Sequence, residues 1–427
     1  MGGAQSVVAF DVVVVGGGIA GLLSAVRLSR DYKVLVLEQR AQLGGRARMV
    51  EFCGAKVVTG AGVLRSHKDK LMQALLREMQ VASEKIDVAA KPGILNCYDE
   101  LCGSYPLKHE TFEAFGRRVL KKRFDNFVQQ MGFTDMLRAS AVETMRHYGL
   151  EDNLLAYKAV KFDWNALISE LTQKAKRQGV TILTSHKVVK LTHLYYNNYN
   201  NNNNNKNYNN NNNNNVGSQT KTKPSIELRV VSSTMRPSFV RTRKVVIAST
   251  VSCIKTLLPR STLFDRLHAQ PFIRVYAQLD AESSRNVSDK IKNFKVVKNC
   301  LMKISKVASP GNDVFMIGYA DNLAAQALQK YKQDTIENRD VFAKLVCQAL
   351  DLPSVVILAL RAFYHKEGTH YYDELADLDR SKHTTYTMYT PAQNVFVVGE
   401  AVSHNQGWTE GAAQTVELML KNMASSY

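Results

Sequence analysis

The apolar positions fall into two alternating rhythms from the first turn of the chain onwards. Val12–Val15 is an unbroken β-branched run, as expected of a strand covered on both faces in a parallel sheet. Ile19–Ser29 follows with helical spacing, and Lys33–Leu37 is a second apolar strand. Helical periodicity then dominates Lys68–Met79, Phe112–Gln130 and Thr134–Tyr148. Asp163–Lys176 reads as an amphipathic helix that Gly179 terminates, and the strands Val180–Leu183 and Lys187–Leu191 come next. Lys244–Ser249 is one more buried strand. Beyond it, Ile273–Leu279, Asp313–Tyr319 and Ser354–Phe363 predict a mixed or antiparallel sheet, with helices at Ala324–Tyr331 and Val341–Leu350.

One segment has no rhythm. Asn197–Asn215 is asparagine broken only by Tyr199, Lys206 and Tyr208. It holds nothing to build a core and is expected to be disordered. Strand-like sequence flanks it, Lys187–Leu194 before and Ser225–Val231 after. The tract therefore reads as an expansion, 195–224, of a β-hairpin loop, where closure entropy grows only slowly with length.

The strand–helix–strand unit at the start carries chemistry. Gly16, Gly18 and Gly21 have the G-x-G-x-x-G spacing. The first permits a tight turn, the second lets a pyrophosphate reach backbone N–H groups, and the third lets helix and strand pack closely. The helix presents its positive end to the phosphates. Glu38 closes the second strand, where a ribose needs an acceptor and where an acid repels a 2′-phosphate. A lone glycine triplet is weak; one that follows a strand, opens a helix and has its acid is a dinucleotide site. Leu43-Gly44-Gly45-Arg46 then supplies a second backbone segment and a fixed charge for the same pyrophosphate, a clamp that favours FAD over NAD.

With that clamp the chain resembles the flavin-containing amine oxidase superfamily, which includes monoamine and polyamine oxidases, protoporphyrinogen oxidase and the carotenoid desaturases. Phe396–Glu400 is similar to the family's strand that ends in Gly-Glu beside the flavin, here Gly399 and Glu400. Gly407-Trp408-Thr409-Glu410-Gly411-Ala412 is similar to its closing helix N-terminus, which meets the isoalloxazine. Thr59-Gly60-Ala61-Gly62 resembles the loop beneath the ring, and Val188 matches the backbone contact to adenine. The likeness covers about 1–65, 160–255 and 390–427.

The resemblance implies an α/β fold: a Rossmann-type FAD-binding domain with a parallel sheet, made of 1–75, 160–255 and 385–427, and an interleaved α+β substrate or lid domain, 76–159 and 256–384. It implies hydride transfer from an amine or related small molecule to FAD, with reoxidation by dioxygen or another acceptor. Only one dinucleotide fingerprint occurs, so the flavin is expected to be reduced by the substrate itself. Monoamine oxidases attach FAD through a cysteine before the closing strand; no cysteine follows Cys347, so the flavin is expected to be noncovalent. Trp408 stands where the family places an aromatic wall beside the amine, and simple packing is the competing role. Arg274, in PFIRVYAQL, stands where the family often has a lysine near the flavin. An arginine keeps its charge throughout, which departs from the family chemistry, and a flavin contact competes here with a surface or ion-paired role. A desaturase or protoporphyrinogen-oxidase-like activity, and an inert FAD-bound scaffold, are the alternatives.

Charge narrows the substrate. The net charge of +18 opposes the approach of a polycation, so either the cleft is locally acidic or the substrate is neutral or anionic. Arg117, Arg118, Lys121, Lys122 and Arg123 form a basic stripe that reads first as a solvated helix face, and no nucleic-acid module accompanies it. The six cysteines are scattered, as in a reduced compartment. No apolar run approaches the roughly 20 residues that span a bilayer, and no secretory signal is present, so a cytoplasmic location is expected. Gly2 and Ser6 fit the N-myristoylation pattern, which with the basic excess would attach the protein peripherally to a membrane. Tyr364–Leu375 mixes His365, Glu367 and His370, but Gly368 interrupts the spacing; a polar loop is expected there and no metal.

Overall fold

The computed structural model describes residues 10–88, 91–194, 226–232, 237–374 and 389–424. Gly2 and the asparagine tract lie outside the described residues.

Two sheets organise the chain. The first has the order Thr181–Leu183, Val34–Leu37, Phe10–Val15, Ser238–Ile247, Ile226–Ser232, His186–His193, and Val395–Val397 also pairs with Ser238–Ile247. Pairing is parallel from Thr181–Leu183 through to Ser238–Ile247 and on to Val395–Val397. Val12, Val13 and Val14 are fully buried, as the unbroken β-branched run requires. Helix Ile19–Leu28 packs on one face together with Trp164–Arg177, Lys70–Glu78 and Thr409–Ala424. The 164–177 helix shows why the sequence folds that way. Asp163 caps the N–H groups of Asn165 and Ala166, and Trp164, Leu167, Ile168, Leu171 and Ala175 line one buried stripe. Gly179 turns the chain at φ +82°. His186–His193 and Ile226–Ser232 pair antiparallel, so the asparagine tract joins the two arms of a hairpin as expected.

The second sheet is antiparallel, with the order Phe294–Val296, Lys303–Lys306, Val314–Asp321, Leu267–Leu279, Ile357–Tyr372. Its apolar face, including Ile273, Val275 and Ile317, packs against helices Ala281–Ile291 and Ile336–Leu350. The opposite face carries Gln270, Phe272, Arg274 and Tyr276 in period two along one strand, and it turns toward the first sheet's loops.

Three expectations need correction. Tyr364–Leu375 is not a loop: the strand runs on to Tyr372. The register slips between Gln270 and Phe272, at Pro271, which has no N–H for the ladder, and residues 366–368 bulge opposite it. Gly368 belongs to that bulge, because a Cβ there would come within 2.2 Å of the Phe272 ring. Phe112–Gln130 is two helices, Phe112–Leu120 and Phe124–Met131. The Phe124 ring folds back onto Gly116, where a Cβ would meet it at 2.0 Å, and the chain must turn between them. Thr134–Tyr148 contains only Ala141–Glu143 and one wide turn, Thr144–Tyr148. Thr134 is bound to Asp321, and the Asp135 carbonyl accepts from Gln270, contacts that pin the backbone to the second sheet instead of a helix.

All six cysteines are free. In the basic stripe, Arg117 pairs with Glu113 and Asp125, Arg118 with Glu110, and Arg123 with Glu100, so three of its five cations are locally balanced. No helix among the described residues is long and apolar enough to cross a membrane.

Candidate functional site

The glycine turn forms as its spacing demands. Gly16 has φ +111°, and a Cβ there would lie 2.3 Å from the Ala248 carbonyl. A Cβ on Gly21 would come within 1.8 Å of the Gly16 carbonyl oxygen, which is the close helix-to-turn packing expected of the third glycine. Gly18 differs from both: nothing lies within 4 Å of its Cβ position, and it caps helix Ile19–Leu28 without a side-chain bond to the first N–H groups. Open space over a helix N-terminus is what a pyrophosphate requires. The Gly44-Gly45 segment closes the other side, with Gly44 N donating to Gly17 O at 2.8 Å and Gly18 bridged to Gly44. Buried Glu38 accepts from Gly17 N at 2.7 Å and from Arg40 N at 2.8 Å, so its carboxylate stands at the mouth of the turn. His186 N bonds the Glu38 carbonyl at 2.8 Å, which brings the Val188 strand alongside.

Arg46 turns its guanidinium to the C-terminal segment. Its Nη1 donates to Gly368 O at 2.7 Å and to Glu400 Oε1 at 2.5 Å. Glu400 also accepts from Gly407 N at 2.9 Å and from His370 Nδ1 at 2.5 Å. Val251 N donates to His370 Nε2 at 3.2 Å, which assigns the proton to Nδ1. Burial would raise the Glu400 carboxyl, but His370, Arg46 and the Gly407 N–H hold it far below the ordinary carboxylate range. Gly399 takes φ +123° and donates to Thr415 Oγ1, in the helix that Thr409 opens. Sequence positions more than three hundred residues apart thus converge, and Glu400 accepts three donors from three segments.

The polar face of the second sheet covers the Gly60–Gly62 loop. Arg274, 7% exposed, donates from Nε to Gly60 O at 3.0 Å and stacks its guanidinium 3.9 Å from the Tyr319 ring centre. It forms no salt bridge among the described residues, so it is neither a surface arginine nor an ion-paired one. Ala61 N bonds Arg46 O at 3.0 Å, locking the loop to the clamp. His365 donates from Nε2 to Thr59 O at 2.9 Å. Burial, and behind it the charges of Arg46, Arg40 and Arg274, lower His365 to about 4. A folded-state value below the ordinary 6.5 means that protonation favours unfolding. The stabilisation is complete above about pH 6.5 and is lost as the pH falls toward 4. We expect His365→Gln to flatten the decline of melting temperature across that window; an identical slope in both proteins would refute it.

Trp408 is committed to an internal partner. The Arg65 guanidinium lies 3.9 Å from its ring centre. Arg65 is 1% exposed and bonds Asp69 at 2.6 and 3.0 Å and Asp152 at 2.6 Å. Lys68 and His67 complete the cluster around Asp152.

Several polar residues at this site had no sequence signal beyond lying in the weakly patterned middle of the chain. A narrow pocket opens beside Gly407, walled by Asp135, Thr144, Tyr148, Gln270 and His404. Gln270 Nε2 donates to the Asp135 carbonyl, which fixes Gln270 Oε1 as an acceptor, and that oxygen is buried without a partner, as is Thr144 Oγ1. Tyr148 donates to the Asp135 carboxyl, which burial and neighbouring Asp321 push up to about 7. Lys303, on the same sheet face, is fully buried with its Nζ over the Phe133 ring and no hydrogen-bond partner. Burial drives its ammonium well below the usual lysine range.

Comparison with known proteins agrees with this geometry. Residues 11–202 match the family model described as FAD dependent oxidoreductase. An uncharacterized protein of Acanthamoeba polyphaga mimivirus is 20% identical over 483 residues, 96% of this chain and 93% of that protein. Pseudooxynicotine dehydrogenase of a Pseudomonas species is 29% identical over 161 residues, 35% of this chain and 32% of that enzyme. Solved structures of a double and a triple mutant of putrescine oxidase superpose with TM-scores of 0.65 and 0.66 at 13% identity. Each superposition covers 98% of this chain and 99% of the other, so the two share a fold.

Proposed function

We propose that this FAD-dependent oxidoreductase, built on the amine oxidase fold, oxidises a small amine or related hydride donor held in the pocket beside Gly407, on the polar face of the second sheet that also meets the Gly60–Gly62 loop. The observation that carries the reading is Arg274, buried without a carboxylate partner and bonded to the loop expected to underlie the ring. Residues 1–75, 160–255 and 385–427 serve as the cofactor unit, and 76–159 with 256–384 as the substrate unit.

The residues fit FAD. Gly16, Gly18, Gly21, Gly44 and Gly45 would hold the pyrophosphate, with Glu38 at the ribose and Val188 at the adenine. Arg46, Glu400 and Gly399 would flank the chain leading to the ring, and Gly60, Ala61, Gly62 and Thr409 would surround it, with Trp408 stacked on Arg65 behind them. No cysteine lies near enough in sequence to the closing strand for the family's covalent attachment, so binding is noncovalent. FAD supplies the hydride acceptor; the protein supplies position, desolvation and proton handling.

An amine must be neutral to release hydride. Asp135, pushed up to about 7, can take the ammonium proton at its carboxylate. Gln270 Oε1 and Thr144 Oγ1 offer hydrogen-bond acceptors that are unsatisfied without a ligand. Two carboxyl groups, Asp135 and Glu143, make this pocket locally acidic within a strongly basic protein. Arg274 keeps a fixed positive charge beside the loop, where it stabilises negative charge that develops on the acceptor.

The test is anaerobic mixing of the yellow protein with a panel of primary and secondary amines. Bleaching of the visible flavin band supports the reading, and a flavin that stays oxidised with every amine overturns it. Arg274→Met should stay yellow but bleach about 100-fold more slowly, the usual loss when one transition-state donor is removed. An unchanged bleaching rate would remove Arg274 from the chemistry. Acylation of Gly2, and peripheral membrane attachment through it and the basic surface, belong to this proposal as a matter of location; vesicle co-sedimentation of wild type against Gly2→Ala tests them.

A further inference from the structure

We infer that a second cleft, separate from the dinucleotide cradle, binds a small polyanion such as a phosphorylated metabolite. The cleft measures about 550 Å³ and lies between the edge strand Ile357–Tyr372, the segment 40–50 and residues 332–334. Arg40, Arg48, Lys332 and Arg361 line it. The carboxylate among its described walls, Asp334, is already bonded to Arg339 at 2.6 Å.

None of the four cations forms a salt bridge among the described residues. Arg48 bonds the neutral amide of Gln42, and Arg361 rests 5.7 Å from the Phe363 ring centre. Elsewhere on this surface arginines find acids, as Arg117, Arg118 and Arg123 do. Here like charges are gathered in a concavity and left uncompensated. Burial and the nearby Arg40 pull Arg48 below its ordinary range, which reports the same strain. A concave wall of one sign concentrates the field and raises the local concentration of counter-ions. Guanidinium forks match the paired oxygens of phosphate, which favours a phosphorylated ligand over a simple halide. His365, held neutral, adds no charge but bonds Thr59 on the same wall.

The cleft is not the phosphate cradle. The cradle's open space lies at Gly18, and the clamp's own charge, Arg46, is spent on Gly368 and Glu400 and is not part of the cleft wall. The two sites meet at Gly45, which lines the cleft and also lies against Gly18, its Cβ position 3.6 Å from the Gly18 Cα; Thr59, the residue before Gly60, lines the cleft as well. A bound anion is thus placed to perturb the flavin spectrum.

The experiment titrates FAD-loaded protein with inorganic pyrophosphate, reading heat and flavin absorbance together. The double variant K332A/R361A is titrated in parallel. Saturable one-to-one binding that the variant weakens at least about tenfold, at unchanged flavin content, is expected. Absent binding to wild type, or equal binding in the variant, overturns the site. Loss of flavin from the variant also overturns it, since the cleft would then belong to the cofactor. None of these readouts requires substrate turnover, so failure here leaves the proposed reaction standing.

Discussion

Gly18→Ala should give a folded, colourless protein, whereas Gly21→Ala should give one that barely folds. A methyl at Gly18 meets nothing within 4 Å, and its φ of −80° is open to any residue. The substitution should therefore shift the melting temperature of the FAD-free protein by no more than about 2 °C. The same methyl enters the space over the helix N-terminus, and FAD affinity should fall by about 100-fold, because the pyrophosphate loses its approach to backbone N–H groups. At Gly21 the methyl would sit 1.8 Å from the Gly16 carbonyl oxygen and 2.9 Å from its carbon. Backbone cannot yield as a side chain can, and the cost is at least about 1–3 kcal/mol with displacement of the helix. Flavin-to-protein absorbance ratios and thermal melts separate the two outcomes. A Gly18→Ala protein that retains FAD like wild type would show that the open space is not a phosphate site.

Removing Asp152 should strongly destabilise the protein. Asp152 and Asp69 neutralise an Arg65 that is 1% exposed, and Lys68 and His67 lean on the same carboxylate. Asp152→Ala strands a buried guanidinium with one counter-charge, and losing one partner of such a pair costs about 3–5 kcal/mol. The loss should be visible at one chromophore. The chain has two tryptophans: Trp164 is sealed in the core, and Trp408 carries the Arg65 guanidinium on its face. Chemical denaturation followed by tryptophan emission should show a lower midpoint together with a changed native-state spectrum. A midpoint within about 0.5 kcal/mol of wild type would mean that water already compensates Arg65.

What could be read from the sequence was whatever local backbone chemistry dictates. Gly16, Gly18, Gly21 and Glu38 belong to one short unit in which turn, helix start and strand end are neighbours in sequence, so their pattern carried their geometry. The hairpin around the asparagine tract was legible because both arms alternate. The strand through Tyr372 was not, because Lys366–Gly368 bulges opposite Pro271 and breaks the alternation at the point where the site is built. Phe112–Gln130 kept a helical rhythm straight through a turn that a ring-on-glycine contact imposes from eight residues away. Arg65 with Asp152, Gln270 with Asp135, and Arg46 with Glu400 are partnerships across distant sequence, and no period or motif announces them. Arg274 could be located but not its role. Its buried, carboxylate-free setting comes from Tyr319 and Met316 on one strand and from the Gly60 carbonyl, two segments far from it in sequence.

The central strand Ser238–Ile247 lies between Phe10–Val15 and Val395–Val397, and the Arg46 clamp waits for Glu400. On a ribosome, the glycine turn could assemble once Ser238–Ile247 and Ala248 had left the exit tunnel, while its far wall was still unmade. Cofactor capture is therefore expected late, once the closing segment has emerged to supply Glu400. Until then the nascent chain depends on its own hydrophobic contacts, or on chaperones, to keep an unfinished sheet edge from meeting another copy.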